Sequence, residues 1–145
     1  MKTEDQIKAA ILWLEDLMTA TDRGIGQTKE ELGNKAIGFC CLGRACVVTK
    51  IKYRGLTATS SALVGKVGLL SEVGASHYEK IEPPITEEDD IGMLVSSWTR
   101  RSTPSCAQMN DKEGYSFKKI SKRLQKYPNQ YFLPEVAKGI KEHFA

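Results

Sequence analysis

Ile7, Ala10, Ile11, Leu14, Leu17 and Met18 recur at the three- and four-residue spacing of a single helix face. Lys8, Glu15 and Asp16 fall on the opposite side, so the spacing predicts an amphipathic helix over residues 3–19. Residues 21–26 hold two glycines and predict a turn. Gly24 and Gly26 do not make a dinucleotide loop, which needs a preceding strand and a third glycine. Residues 38–49 are apolar almost all round the helical wheel and predict a buried helix. Arg44 is its one charged side chain before Lys50. Such an arginine must snorkel to water or meet a carboxylate or an anionic ligand, because an unpaired buried charge is very costly.

Periodicity weakens in the middle of the chain. Residues 61–64 and 67–70 are short apolar runs that fit either strands or the ends of one helix. Residues 77–81 alternate weakly, and Pro83-Pro84 interrupts any regular element. The acidic run 87–90 predicts a solvated loop. Residues 91–98, rich in β-branched and aromatic side chains, form the best strand candidate, and 106–109 predict a second short strand. Residues 110–114 predict a turn. Ser116 then suits a helix N-cap, with Tyr115 and Ile120 at the two positions of a hydrophobic staple. That helix extends to about residue 127, with Phe117, Ile120 and Leu124 on one face and Lys118, Lys119, Lys122 and Lys126 on the other. Pro128 stops it. Pro134 opens a final helix that turns Val136, Ala137, Ile140 and Phe144 inward. Together these elements predict one α+β domain over residues 1–145. The N-terminal amphipathic helix and the buried cysteine-rich helix pack on a small sheet, and two short C-terminal helices close the other side.

A chain of 145 residues can bury one core without staples. Its net charge of +3 predicts no general affinity for nucleic acid or membrane. The charge is unevenly placed. Residues 1–95 balance at −3 and residues 96–145 at +6, which suggests an anionic partner for the C-terminal part. The acidic start, Met1 to Asp5, does not read as a signal peptide, and no stretch reaches the ~18 apolar residues of a membrane span. A cytoplasmic location without membrane attachment is expected. Three of the four cysteines lie within seven residues, two of them adjacent, so free thiols are expected rather than disulfides.

Two blocks carry a resemblance. Phe39-Cys40-Cys41-Leu42-Gly43 followed by Cys46 is one. Met109-Asn110-Asp111, then Gly114, Ser116-Phe117 and Ile120, is the other. They resemble the F-C-C-L-G-x-x-C and L-N-D…G-x-S-F-x-x-I blocks of a family of small uncharacterised phage and prophage proteins. Met109 stands where that pattern has Leu, and Arg44 where it more often has an apolar residue. The resemblance implies a setting, an accessory protein acting in the cytoplasm of an infected bacterium, and little chemistry.

Candidate chemistry follows from residue types. Cys40, Cys41, Cys46, Cys106, His77 and His143 are zinc-ligand types, but on a helix the first three point in different directions, which favours core cysteines over a metal site. A cysteine nucleophile needs His77 or His143 beside it, and nothing in the local sequence provides that. Ser116-x-x-Lys119 matches a serine–lysine spacing without its accompanying signatures, and an N-cap serine explains it. No metal, cofactor or catalytic residue is assigned.

Two binding readings remain. In the first, backbone amides at the Ser116 helix start, Arg100 and Arg101 in the preceding loop, Asn110 and Arg44 hold a nucleotide-like anion. The protein would then sequester a nucleotide-type signal or block a host defence protein. In the second, Lys118, Lys119, Lys122 and Lys126, with Arg100, Arg101 and Arg123, bind nucleic acid while Trp98 and Tyr131 stack on bases. The oligomeric state is left open, a homo-oligomer included.

Overall fold

The computed structural model describes residues 2–29, 31–52, 60–70 and 104–145. The strand candidates at 77–81 and 91–98, the acidic run, His77, Trp98, Arg100 and Arg101 lie outside the described residues. Among the described residues the fold is α+β, with seven helices and a two-stranded antiparallel sheet.

Helix α1 (Thr3–Thr19) runs through the middle of the structure, as its apolar spacing predicts. It packs against every longer helix: α2 (Cys41–Thr49), α3 (Ser60–Val67), α5 (Phe117–Lys126) and α7 (Pro134–His143). Trp13, Leu14 and Leu17 are fully buried among Phe117, Ile120 and Leu124 of α5 and Val136 and Ile140 of α7 in one core cluster. The Trp13 indole meets Phe132 edge-on at 6.2 Å, and its Nε1–H donates to the Cys41 carbonyl at 2.9 Å. A buried Ser121 hydroxyl donates to the Leu14 carbonyl at 2.7 Å, fixing α5 against α1.

Strands β1 (Gly33–Asn34) and β2 (Gly38–Phe39) form a hairpin immediately before α2. The predicted helix over 38–49 therefore starts three residues late. Gly38 has φ +99°, outside any helix, and Phe39 pairs with Gly33. Cys40 becomes the N-cap, its Sγ accepting from the Gly43 N–H at 3.3 Å. Gly43 lets α2 pass against the Leu32 carbonyl, where a Cβ has no room.

The short strand expected at 106–109 is instead α4 (Cys106–Asp111). A capping box explains the difference. Ser105 Oγ accepts from the Gln108 N–H at 3.2 Å, and the Gln108 side chain accepts from the Ser105 N–H at 3.0 Å. The turn after it is shorter than expected, because Asn110 and Asp111 finish the helix and Gly114 takes φ +65°. Pro128 ends α5 but also opens a one-turn helix, α6 (Pro128–Tyr131), whose first-turn position needs no N–H. Three helices, not two, thus complete the C-terminal part. The run at 61–70 resolves into α3 and an extended stretch after Gly68. There Leu69 bridges Phe132, and the Leu133 N–H donates to the Gly68 carbonyl at 2.7 Å.

Candidate anion-binding surfaces

Arg44 leaves the buried face of α2 and meets Asp16 of α1. Its Nε and Nη2 donate to the two carboxylate oxygens at 2.8 and 2.7 Å. Arg23, from the turn after α1, donates to the same Oδ1 at 2.6 Å and to the Asp16 carbonyl at 3.0 Å. The side chains of Arg44 and Asp16 are 8% and 7% exposed, whereas Arg23 is 46% exposed. Burial pushes the Asp16 carboxyl up, but the hydrogen bonds and charges of the two guanidiniums more than offset it and hold its pKa below the ordinary value. Asp16, which the helical pattern puts on the solvent side of α1, is in fact the carboxylate that Arg44 requires. The guanidinium also lies over the Phe39 ring at 5.1 Å.

Asn110 is 1% exposed and makes four hydrogen bonds. Its Oδ1 accepts from Gln27 Nε2 at 2.8 Å and from the Cys41 N–H at 3.1 Å. Its Nδ2 donates to the Thr28 carbonyl at 2.7 Å and to Asp111 Oδ1 at 2.8 Å. That fills the capacity of its amide group, two donors and two lone pairs, so Asn110 joins chain segments and has nothing left for a base or ribose. Gln27 Nε2 also donates to the Tyr115 carbonyl at 2.8 Å, linking this clamp to the start of α5. Ser116 caps that helix, its Oγ accepting from the Lys119 N–H at 3.1 Å. Of the residues named for the nucleotide-like site, Arg44, Asn110 and Ser116 are therefore each held by protein partners.

The α5 face is different. Helix α5 carries five cations and no carboxylate in ten residues. Lys118, Lys119, Lys122 and Lys126 are exposed. Tyr115, Lys119, Lys122, Arg123, Lys126 and Tyr127 line a shallow cleft of about 250 Å³. Lys119 Nζ lies 4.0 Å from the Tyr115 ring centre, and Arg123 and Lys126 lie over Tyr127 at 4.9 and 5.2 Å. Each such contact draws its cation toward the ring by about 0.5–1 kcal/mol at an exposed site. Tyr131 does not belong to the face. It is fully buried, its hydroxyl donating to the Pro104 carbonyl at 2.8 Å and accepting from Arg123 Nε at 2.9 Å.

The four cysteines are free thiols in the core. Burial raises every one of their pKa values, Cys40 to about 11 and Cys46 to about 12, and pushes the fully buried Cys41 and Cys106 well above the ordinary thiol value. The Cys41 thiol donates to the Cys106 carbonyl at 3.4 Å. His143 faces Glu15 at 3.4 Å and packs edge-on to Phe144. Among the described residues, no group of three or more metal-ligand side chains gathers, and no helix is long and apolar enough to cross a membrane.

Sequence reasoning missed the roles of Asp16, Arg23, Gln27 and of Tyr115 and Tyr127, which flank α5. A lone arginine in an apolar helix needs water, a carboxylate or an anionic ligand, so Arg44 left a trace of the pair, while Asp16 beside Glu15 read as part of the solvent face. Gln27 left none. Comparison with protein-family models, with curated proteins and with solved structures finds no match for this chain.

Proposed function

We propose that this chain is a non-catalytic binding protein that takes an extended polyanion, single-stranded nucleic acid, along α5. The observation that supports the reading is the tyrosine-bounded cationic cleft, in which Lys119, Lys122, Arg123 and Lys126 lie between Tyr115 and Tyr127 with no carboxylate among the lining residues. A row of cations tracks a phosphate backbone and gains affinity by releasing its counterions. Tyr115, half-buried at the start of the row, adds an aromatic ring beside the cations of the kind single-strand binders use, whereas Tyr127 is buried. Among the described residues, the buried thiols and the fully hydrogen-bonded Asn110 offer no row of exposed cations comparable to Lys118, Lys119, Lys122 and Lys126 on α5. An accessory factor acting inside an infected bacterium is the setting that the resemblance of the two sequence blocks to phage and prophage proteins would imply for such a binder.

Fluorescence anisotropy with a labelled single-stranded oligonucleotide tests this. The logarithm of affinity is expected to fall with the logarithm of salt with a slope of about −2 to −3, as for three or four phosphate contacts to a single strand. Lys118→Glu/Lys119→Glu/Lys122→Glu should abolish binding while leaving the far-ultraviolet circular dichroism unchanged, because all three side chains are exposed. Undiminished binding by the triple variant rules the reading out.

A further inference from the structure

We infer that a second cleft, separate from α5, binds a small organic anion: one phosphate or carboxylate on a compact apolar body. The cleft lies between the turn at Gly24–Gly26 and the β1–β2 hairpin and has a volume of about 410 Å³, within the usual ligand-site range of ~300–1,000 Å³. Its walls are sewn together. The Phe39 N–H donates to the Gly26 carbonyl at 2.9 Å, the Thr28 N–H donates to the Phe39 carbonyl at 2.9 Å, and a Cβ on Gly38 would fall 2.7 Å from the Gly26 oxygen. The space is therefore preformed rather than opened by a ligand.

Three observations point to an anion. Arg44 lines the cleft, and while Nε and Nη2 are taken by Asp16, Nη1 has no hydrogen bond among the described residues. Asp16 carries one negative charge against two guanidiniums, so the cluster beneath the cleft retains a net positive charge that its own pairing does not cancel. Lys35 adds a cation at the rim, and no carboxylate lines the cleft. The apolar body is called for by Ile25, Ile37 and Phe39 on the walls. Ile37 is 50% exposed, one of the few large apolar side chains left to water among the described residues. A bare inorganic anion would leave those surfaces uncovered.

The test is a ¹H–¹⁵N correlation titration of the full chain with adenosine 5′-monophosphate and with benzoate, using adenosine and inorganic phosphate as controls. Saturable shifts at the amides of Gly24, Gly26, Ile37 and Gly38 are expected with at least one of the two organic anions. The phosphate and carboxylate arms identify the head group. Lys35→Glu, on an exposed rim position, should weaken binding on the order of fivefold, the worth of one exposed charge interaction. Arg44→Lys keeps a cation for Asp16 but loses the guanidinium fork, and should weaken it further. The Lys118→Glu/Lys119→Glu/Lys122→Glu variant should bind as the parent does, which separates this site from α5. Equal shifts with adenosine, saturation by inorganic phosphate alone at the same concentration, or indifference to Lys35→Glu would each overturn the assignment.

Discussion

Arg44 of α2 and Asp16 of α1, 28 positions apart in sequence, form a two-pronged ion pair that is more than nine-tenths buried. The pair ties the cysteine helix to the central helix, alongside the Trp13 indole N–H that donates to the Cys41 carbonyl. Removing one partner of such a pair leaves an uncompensated buried charge. Asp16→Asn is expected to lower unfolding free energy by about 3–5 kcal/mol in urea titrations. Arg23→Ala, at a side chain 46% exposed, should cost less than about 1 kcal/mol. Equal effects of the two changes would contradict this division of roles.

The same pair sets an acid response. Asp16 has a folded pKa below its unfolded value, so its ionised form stabilises the fold at every pH above that unfolded value, about 3.9. The contribution disappears as pH falls through the folded pKa. Urea midpoints measured from pH 7 down to pH 2 should therefore decline more steeply for the parent chain than for Asp16→Asn, whose amide does not titrate.

Asn110 is the second buried polar anchor. In Asn110→Ala the Cys41 N–H loses its partner within the core, a loss of about 1–3 kcal/mol before the other three bonds are considered. Asn110→Asp should be worse at pH 7, since a carboxylate would face the Thr28 carbonyl and the Asp111 carboxylate where the amide now donates. Acidification should then recover part of that loss, as thermal melts at pH 7 and pH 4.5 would show.

Buried thiols of raised pKa react slowly, because the thiolate is the nucleophile. With its pKa near 11, Cys40 is ionised at only roughly one part in a thousand at pH 8. Iodoacetamide at that pH should leave the native chain unlabelled over the time in which it consumes free cysteine, and should label all four thiols in guanidinium. A rapidly modified native cysteine would reopen a catalytic reading.

Gln130 on α6 is 4% exposed, and among the described residues neither its Nε2 nor its Oε1 has a hydrogen-bond partner. An unsatisfied buried amide costs about 1–3 kcal/mol, so Gln130→Met, which keeps the side chain's length without the amide, should stabilise the fold in urea titrations. Destabilisation would show that the amide does bonding work in solution.

How far the sequence foretold these features depends on the range of the interaction. The bounds of α1, the Ser116 cap and Pro134 in the first turn of α7 follow from local spacing and local chemistry, and each is legible within a few residues. Ser105–Gln108 was equally local, yet the β-leaning reading of residues 106–109 obscured its capping box. Arg44 announced a need without naming its partner, because an ion pair across 28 positions has no periodicity. Asn110 resembled a turn residue, since the chemistry that suits Asn to turns also suits it to bridging backbones. The tyrosines bounding the α5 cleft are ordinary in sequence and acquire meaning only when Lys119 and Arg123 settle over them.

The Asn110 clamp also governs the order in which a nascent chain can acquire its shape. Its partners lie 69 and 82 positions earlier, at the Cys41 amide and the Thr28 carbonyl. While the ribosome still holds residue 110, those groups lack the partner this fold gives them, and α1 lacks the faces of α5 and α7 that cover it. Synthesis of the first hundred residues must therefore leave an apolar helix and a cysteine-rich segment waiting. Closure is a late event set by the arrival of the C-terminal third, and that interval is when the chain is most exposed to proteases and to misassociation with its own copies.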